Sequence, residues 1–491
     1  MSRIKRILTY IENYGIRSAA ALFFEKTIQD KRRFSGKARA VPSDMKSPAT
    51  IAQSGKDAHL SESVATGSSA HADSAAISSL PSLSGERILL LVHYFYPERS
   101  GGTERFTYNL ARSLKARGAY VRVLVLDANL SKSAYTERCG DILLREYEYG
   151  GISCTGFRYD HSPKGLYYKN ISLDEQKMRN LARYLIKKDG INLVHATYPQ
   201  PFGPFLSECL ALGIPYIVTC TDFAPICRFA TMVDKRGALC PGSRFEGGVG
   251  GSRCERVCRG ALCASFTERH EKMGKILSAA AAVTVPSEFS RALIAREFPG
   301  VDPIRISHGI SEDFGRAPDR KSVRTFLYAG TLASLKGVHT LLRAFSRLDG
   351  DYRLIISGKG SAAYFRYLKR LADNRVEFIG ATPADRMAEL YASCDCVVIP
   401  SLWYETYNFV LREAQKSGAL VIAADIGAMP ESVRAGENGF LFNASDVDSL
   451  YSALLSAIHF DFSGYVRQDH PTPEDEGRAY AELIARIRGV E

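Results

Sequence analysis

Between residues 87 and 488 the chain alternates short, continuously apolar runs with segments whose apolar positions recur at helical spacing. The run RILLLVHYF at residues 87–95 is apolar almost throughout, the pattern of a strand covered on both faces in a parallel sheet. Runs at 121–126, 192–197, 215–221, 376–379, 396–400 and 421–424 predict further strands. Helical spacing links Phe106, Leu110 and Leu114, then Val338, Leu341, Leu342 and Phe345, then Phe409, Val410, Leu411 and Ala414. A last periodic run joins Ala479, Tyr480, Leu483, Ile484 and Ile487. Strands alternating with helices predict doubly wound α/β units. The polar stretch 313–324, with Pro318, is the expected linker between two of them.

Composition changes the picture mainly at the ends. A chain of 491 residues with 45% hydrophobic and 24% charged positions predicts two globular domains plus extra segments. Residues 1–35 interleave Arg3, Lys5, Arg6, Arg17, Lys26, Lys31, Arg32 and Arg33 with Ile4, Ile7, Leu8, Ile11, Leu22 and Phe23. This predicts a basic amphipathic segment, divided at Gly15, that either lies on an anionic membrane surface or packs on the body of the protein. Residues 36–85 turn to Ser, Ala, Gly and Asp, with no aromatic residue between Phe34 and Tyr94, and read as a disordered tether.

The formal charge of +11 calls for an anionic partner. No apolar run reaches the roughly 18 residues of a membrane span, so the expectation is a cytoplasmic chain, peripheral on the inner face of the membrane. Eleven cysteines, an odd number in a long chain, argue against a disulfide framework and for reduced thiols or a metal site.

The candidate chemistry centres on residues 394–439, a strand, a polar loop and a helix. Glu405 stands ahead of that helix and Glu413 inside it. The free amides of the helix start, around Tyr407, Asn408 and Phe409, form an anion site, with one carboxylate on either side. Ionised carboxylates only accept hydrogen bonds and sugar hydroxyls donate them, so the combination suits a phosphate joined to sugars. Gly101 and Gly102 end a loop between the first strand and a helix expected from Thr103, where a backbone can approach a ligand closely. Lys336 ends a glycine-bearing loop and offers a point charge for a phosphate. Gly358, Gly360 and Ala363, with Glu377 beyond, imitate a dinucleotide fingerprint, but the strand before them is not the first of its domain.

The Glu405 to Glu413 spacing, with GAMPESVRAGENGFLF at residues 427–442 behind it, resembles the Glu-x7-Glu motif of the retaining GT-B glycosyltransferases of family four. The resemblance covers about residues 87–488. It implies a GT-B fold, α/β, with two doubly wound Rossmann-like domains facing across a cleft. The implied boundaries are 86–315 for an acceptor-side domain, 316–470 for a nucleotide-sugar-binding domain and 471–491 for a helix crossing back to the first.

By the same resemblance the chain is a hexosyltransferase moving a sugar from a UDP- or GDP-linked donor to a glycan or lipid-linked acceptor, in bacterial surface polysaccharide assembly. It implies that Gly101, Gly102 and Lys336 face the donor diphosphate, that Glu413 holds the ribose and that Glu405 holds the transferred sugar. No cofactor is then required for catalysis, and nucleic acid is not a partner. Two departures stand out. The family's His before an acidic strand-end residue is Thr221 here, ahead of Asp222, and an expected Arg is Thr331. Asp222 is therefore the candidate catalytic residue of the first domain, ahead of His195.

The insert 220–263 is rich in cysteine, Gly and Arg, and its second half looks too polar to form a buried element. Cys227, Cys240, Cys254 and Cys258 are candidate ligands of a structural zinc, the alternative being free thiols in a substrate-side loop. Three rival readings stay open: a catalytically inactive nucleotide-sugar-binding protein, a GT-B phosphorylase and a dinucleotide oxidoreductase.

Overall fold

A computed structural model of the chain describes residues 82–127, 134–160, 175–234, 237–258, 265–311, 314 and 320–489. The basic segment 1–35, the tether 36–85 apart from its last four residues, and Cys263 lie outside the described residues.

The first sheet has nine strands, in the order β3-β4-β5-β2-β1-β6-β7-β8-β9. They are β1 (Arg87–Val92), β2 (Tyr120–Leu126), β3 (Glu137–Cys139), β4 (Ile142–Tyr149), β5 (Ile152–Tyr159), β6 (Leu193–Ala196), β7 (Tyr216–Thr219), β8 (Ala282–Val285) and β9 (Ile304–Arg305). Helices α1 (Gly102–Ala116), α2 (Gln176–Asp189), α3 (Gly203–Ala211), α4 (Ser252–Val257), α5 (Phe266–Ser278) and α6 (Glu288–Glu297) connect or cover them.

Strand β1 is central because both its faces are apolar. Ile88, Leu90 and Val92 pack with Phe106, Leu110 and Leu114 of α1, while Leu89 and Leu91 join Leu181 and Leu185 of α2 and Phe205 of α3. Each fully buried aliphatic side chain contributes roughly 1.5–3 kcal/mol. The edge β3-β4-β5 is antiparallel, an addition to the parallel pattern expected from the sequence. Its hairpin turns on Gly150 and Gly151, both with positive φ.

The second sheet has six parallel strands in the order β12-β11-β10-β13-β14-β15. These are β10 (Thr325–Ala329), β11 (Arg353–Ser357), β12 (Val376–Gly380), β13 (Cys396–Ile399), β14 (Leu420–Ala424) and β15 (Gly439–Phe442). Helices α7 (Val338–Phe345), α8 (Ala362–Leu371), α9 (Met387–Ala392), α10 (Phe409–Lys416) and α11 (Val447–Ile458) accompany them.

The last helix, α12 (Pro473–Arg488), returns to the first domain, where Tyr480, Leu483 and Ile484 bury against the α1 face of the first sheet. A capping box between Thr472 and Asp475 fixes its start.

Chain order reverses between β10 and β13 in the second sheet and between β1 and β6 in the first. Loops beyond the carboxyl ends of strands at such switch points are where doubly wound sheets take ligands. The loops after β1, β10 and β13 carry Gly101 and Gly102, Lys336, and Glu405 respectively.

The domains meet through specific bonds. Thr406 donates to the carbonyl of Thr221 at 2.8 Å, and Lys416 donates to that of Ile310 at 3.1 Å. The Glu431 carboxylate, from the second domain, accepts the amides of Glu288 and Phe289 at the start of α6.

Candidate active site

Helix α10 begins at an unusual corner. Asn408, its N-cap, sits at φ 65°, a region that Asn tolerates better than most residues, and its side chain accepts the Leu411 amide at 3.0 Å. Glu405, three residues earlier, accepts from Lys336 Nζ at 2.7 Å, Ser401 Oγ at 2.7 Å and Trp403 Nε1 at 2.8 Å. All three bonds converge on Oε1, so Oε2 takes none of them. Burial pushes the Glu405 carboxyl up, but the Lys336 ammonium and the Ser401 and Trp403 donors outweigh it and hold the pKa below the ordinary value.

The turn that presents Lys336 depends on Gly337. Its φ is +70°, and a Cβ there would lie 1.7 Å from the carbonyl oxygen of Pro400 at the end of β13. Only glycine lets the two loops approach this closely. Lys336 also stands 4.9 Å above the Trp403 ring, a cation–π contact that fixes the ammonium from a second side.

Glu413, in the second turn of α10, is buried and accepts from Tyr391 at 2.8 Å. Burial and the Glu413 charge push the Tyr391 hydroxyl well above its usual range, so it stays a donor. The other oxygen of Glu413 pairs with Arg105, which belongs to α1 of the opposite domain. The Arg105 guanidinium also lies 4.9 Å over the ring of Phe409, the first residue of α10. Beside it, Gly102 faces the same ring so closely that a Cβ would touch it at 3.5 Å.

Glu405, Glu413, Lys336, Asn408, Phe409, Gly101 and Gly102 are thus gathered around the start of α10. Two carboxylates, two cations and the free amides of a helix start make a cradle for an anion attached to hydroxyl-bearing groups.

The order of these elements along the chain is matched elsewhere. Residues 100–314 match the family described as Glycosyltransferase Family 4, and residues 323–459 match Glycosyl transferases group 1. The chain belongs to the group 1 glycosyltransferases.

D-inositol 3-phosphate glycosyltransferase of Corynebacterium diphtheriae is 30% identical over 176 residues, 33% of this chain and 39% of that protein. The same enzyme of Mycobacterium ulcerans is 32% identical over 174 residues, 31% of this chain and 37% of that protein. The chain therefore spans well under half the length of these curated relatives. Sucrose-phosphate synthase from Thermosynechococcus elongatus superposes with a TM-score of 0.56 at 18% identity, covering 82% of this chain and 96% of that one. Anabaena HepE in complex with UDP and glucose gives 0.54 at 16% identity, covering 82% and 97%. The fold of this glycosyltransferase is GT-B, two parallel-sheet domains across a cleft.

Other expected residues of the glycosyltransferase stand differently. Asp222 follows β7 and accepts the amide of Ala224 at 2.7 Å, capping a turn at the cleft edge. Its neighbour Thr221 hydrogen-bonds Thr103 of the glycine loop at 2.8 Å. Tyr407 turns its side chain away from the cradle: its hydroxyl donates to the carbonyl of His308, and its ring carries the Arg412 guanidinium at 3.8 Å. His195 is buried against Thr219 at 2.7 Å, and burial lowers its pKa to about 3, so it is a neutral core residue. Glu377, on β12, pairs at the surface with Arg353 of the neighbouring β11.

The insert is less polar in space than in sequence. It forms α4, and it buries Cys240, Ser243 and Cys258; the Glu297 carboxylate accepts both the amide and the hydroxyl of Ser243. Cys227, Cys240, Cys254 and Cys258 line one cavity with Met232 and Phe266. Yet among the described residues no three Cys, His, Asp or Glu side chains form a group that could hold a metal ion. Instead Arg253 donates to the Cys240 sulfur at 3.1 Å, and burial pushes the Cys240 thiol up to about 11. In this arrangement the four thiols do not fit a resident zinc, whose ligands must be thiolates around one point.

Sequence reading passed over Arg105, Tyr391, Ser401 and Trp403. The last two lie within four residues of Glu405, where a hydroxyl and an indole N–H are natural partners for a carboxylate.

Proposed function

We propose that this chain is a retaining glycosyltransferase that transfers a hexose from a UDP- or GDP-linked donor to a glycan or lipid-linked acceptor in surface polysaccharide assembly. The observation that carries the reading is the placing of Glu405 and Glu413 on either side of the α10 start, with Lys336 at one end and the Gly101–Gly102 loop opposite. HepE, with the same fold, has been solved with UDP and with UDP-glucose, which supports a nucleotide-sugar donor here.

In this reading the donor diphosphate lies on the amides at the start of α10. As the glycosidic bond breaks, the leaving diphosphate gains charge, and Lys336 with those amides stabilises it in a site already oriented for it. Glu413 accepts the ribose hydroxyls. Glu405, held ionised, accepts a hydroxyl of the transferred sugar through Oε2. The leaving phosphate takes the acceptor's proton on the face it departs from, which retains the anomeric configuration. Asp222, at the cleft edge on the acceptor side, orients the acceptor hydroxyl.

The test is transfer from UDP- and GDP-hexoses with the product's anomeric configuration read by NMR. A retained configuration supports the assignment and an inverted one overturns the mechanism. Nucleotide binding without any turnover would instead favour an inactive binding protein, a reading to which Thr331 and Thr221 lend weight.

No helix among the described residues is long and apolar enough to cross a membrane. The basic pattern of residues 1–35 supports attachment to an anionic surface. Deleting these residues is expected to reduce co-sedimentation with phosphatidylglycerol vesicles; undiminished binding contradicts that role.

A further inference from the structure

The donor cradle, as observed, has both its carboxylates occupied by cations of the chain itself. Lys336 on Glu405 belongs to the same domain, but Arg105 on Glu413 crosses the cleft. Arg105 is also placed for a second contact. It sits one turn into α1, its guanidinium lies over Phe409, and Phe409 opens the helix whose free amides form the anion site. More than a quarter of its side chain is open to solvent, whereas Glu413 is closed off. A guanidinium with five donors can leave a carboxylate for a phosphate without loss of bond strength, since both present paired oxygens to its planar fork. The position where the family's pattern expects an arginine holds Thr331, an exposed residue whose carbonyl accepts from Tyr328 at 2.8 Å. The second domain therefore supplies one cation fewer than its pattern calls for.

We propose that Arg105 is a donor-binding residue that exchanges partners. Without ligand it neutralises Glu413; with a nucleoside diphosphate bound, Glu413 passes to the ribose hydroxyls and Arg105 passes to the diphosphate. The first domain in this way supplies the cation that Thr331 does not, and donor binding is coupled to the approach of the two domains. This assignment rests on the donor site described under Proposed function.

The exchange predicts effects of opposite sign for ligands with and without phosphate. Binding of uridine, UMP and UDP, with guanosine and GDP alongside, is measured by calorimetry on the full chain, Arg105→Ala, Arg105→Lys and, as a control, Lys336→Ala. In Arg105→Ala the affinity for UDP or GDP falls about tenfold to a hundredfold, the worth of one charge-assisted bond. Affinity for the bare nucleoside stays level or rises, because Glu413 no longer has to be released. Arg105→Lys keeps the charge without the fork and falls between wild type and Ala, which carries the test if the Ala variant folds poorly. An equal loss for nucleoside and diphosphate, or no loss for the diphosphate, overturns the role of Arg105 while leaving the donor site standing. A wild-type chain that binds none of these ligands overturns both.

Discussion

The two glutamates flanking α10 meet their cations in different ways. Glu405 finds Lys336 within one domain, across two adjacent loops locked together at Gly337 and Pro400. Glu413 finds Arg105 only because the opposite domain has come up against α10. One half of the cradle is built by local chain geometry and holds its shape alone. The other half is shared between the two domains, so it can respond to a ligand. In a two-domain site, the preformed half supplies orientation and the shared half supplies coupling between binding and movement.

The largest expected effect tests both halves together. Glu405→Ala and Glu413→Ala each lower transfer from a nucleotide sugar by at least about tenfold to a hundredfold. Stability then separates them. Glu405→Ala orphans three donors at once, Lys336, Ser401 and Trp403, and costs about 3 kcal/mol or more. Glu413→Ala orphans two, the Arg105 guanidinium and the Tyr391 hydroxyl, and costs about 1–3 kcal/mol. Urea titration of the two variants checks the order, and the reverse order breaks the contrast between a rigid half and a shared one.

Gly337→Ala sharpens the same contrast from the rigid side. A Cβ facing the Pro400 carbonyl on left-handed backbone forces the Lys336 turn away from β13, costing more than about 1 kcal/mol. Nucleoside diphosphate binding should weaken in this variant although no ligand contact has been removed. Unchanged binding would mean that Lys336 does not need this turn.

A smaller and more gradual effect, common to both halves, is expected with acid. Neutral His195 lies in the first domain with its pKa lowered to about 3, against an ordinary value near 6.5. The unfolded chain therefore binds a proton that the fold does not. The stabilising contribution is complete above pH 6.5 and is lost progressively down to about pH 3, on the order of a few kcal/mol. Glu405, with its pKa lowered, gives up its share only below the ordinary carboxylate value near 4.5. His339 and His470 of the second domain are likewise lowered by burial, to about 4 and about 3, so both domains should loosen together as pH falls below 6.5, which hydrogen exchange at pH 6 and pH 4.5 can follow. Loosening of one domain well before the other would contradict the assignment.

Much of this was legible in the sequence, for physical reasons that differ by region. Strands of a parallel sheet covered on both faces must be apolar throughout, so β1, β13 and β14 stood out as runs. The β4–β5 hairpin escaped that reading because ILLREYEY alternates, as a strand with one solvated face does, and its turn signal was only Gly150 and Gly151. Glu405 and Glu413 stood out by their spacing about a helix start, and Lys336 only by the family resemblance, through its place before Gly337.

Arg105 could not be found in this way. It is one arginine on a helix, and its partner lies 308 residues away in a different domain. For the cysteines, spacing pointed to four thiols that share one cavity, while whether their sulfurs converge on a point is set by packing that spacing does not encode. For Tyr407, adjacency to the helix start suggested a donor contact, while the packing against His308 decided where the side chain went.

The central claim is that a nucleoside diphosphate binds between Glu405 and Glu413 at the start of α10. Thermal unfolding of wild type and Glu413→Ala against UDP, GDP, ADP and their sugars tests it most directly, because a ligand bound only to the native state at a hundred times its Kd adds about 2.7 kcal/mol. The account predicts a rise in Tm with one nucleotide family, lost in Glu413→Ala. An equal rise in both proteins, or a rise with a dinucleotide alone, would contradict it.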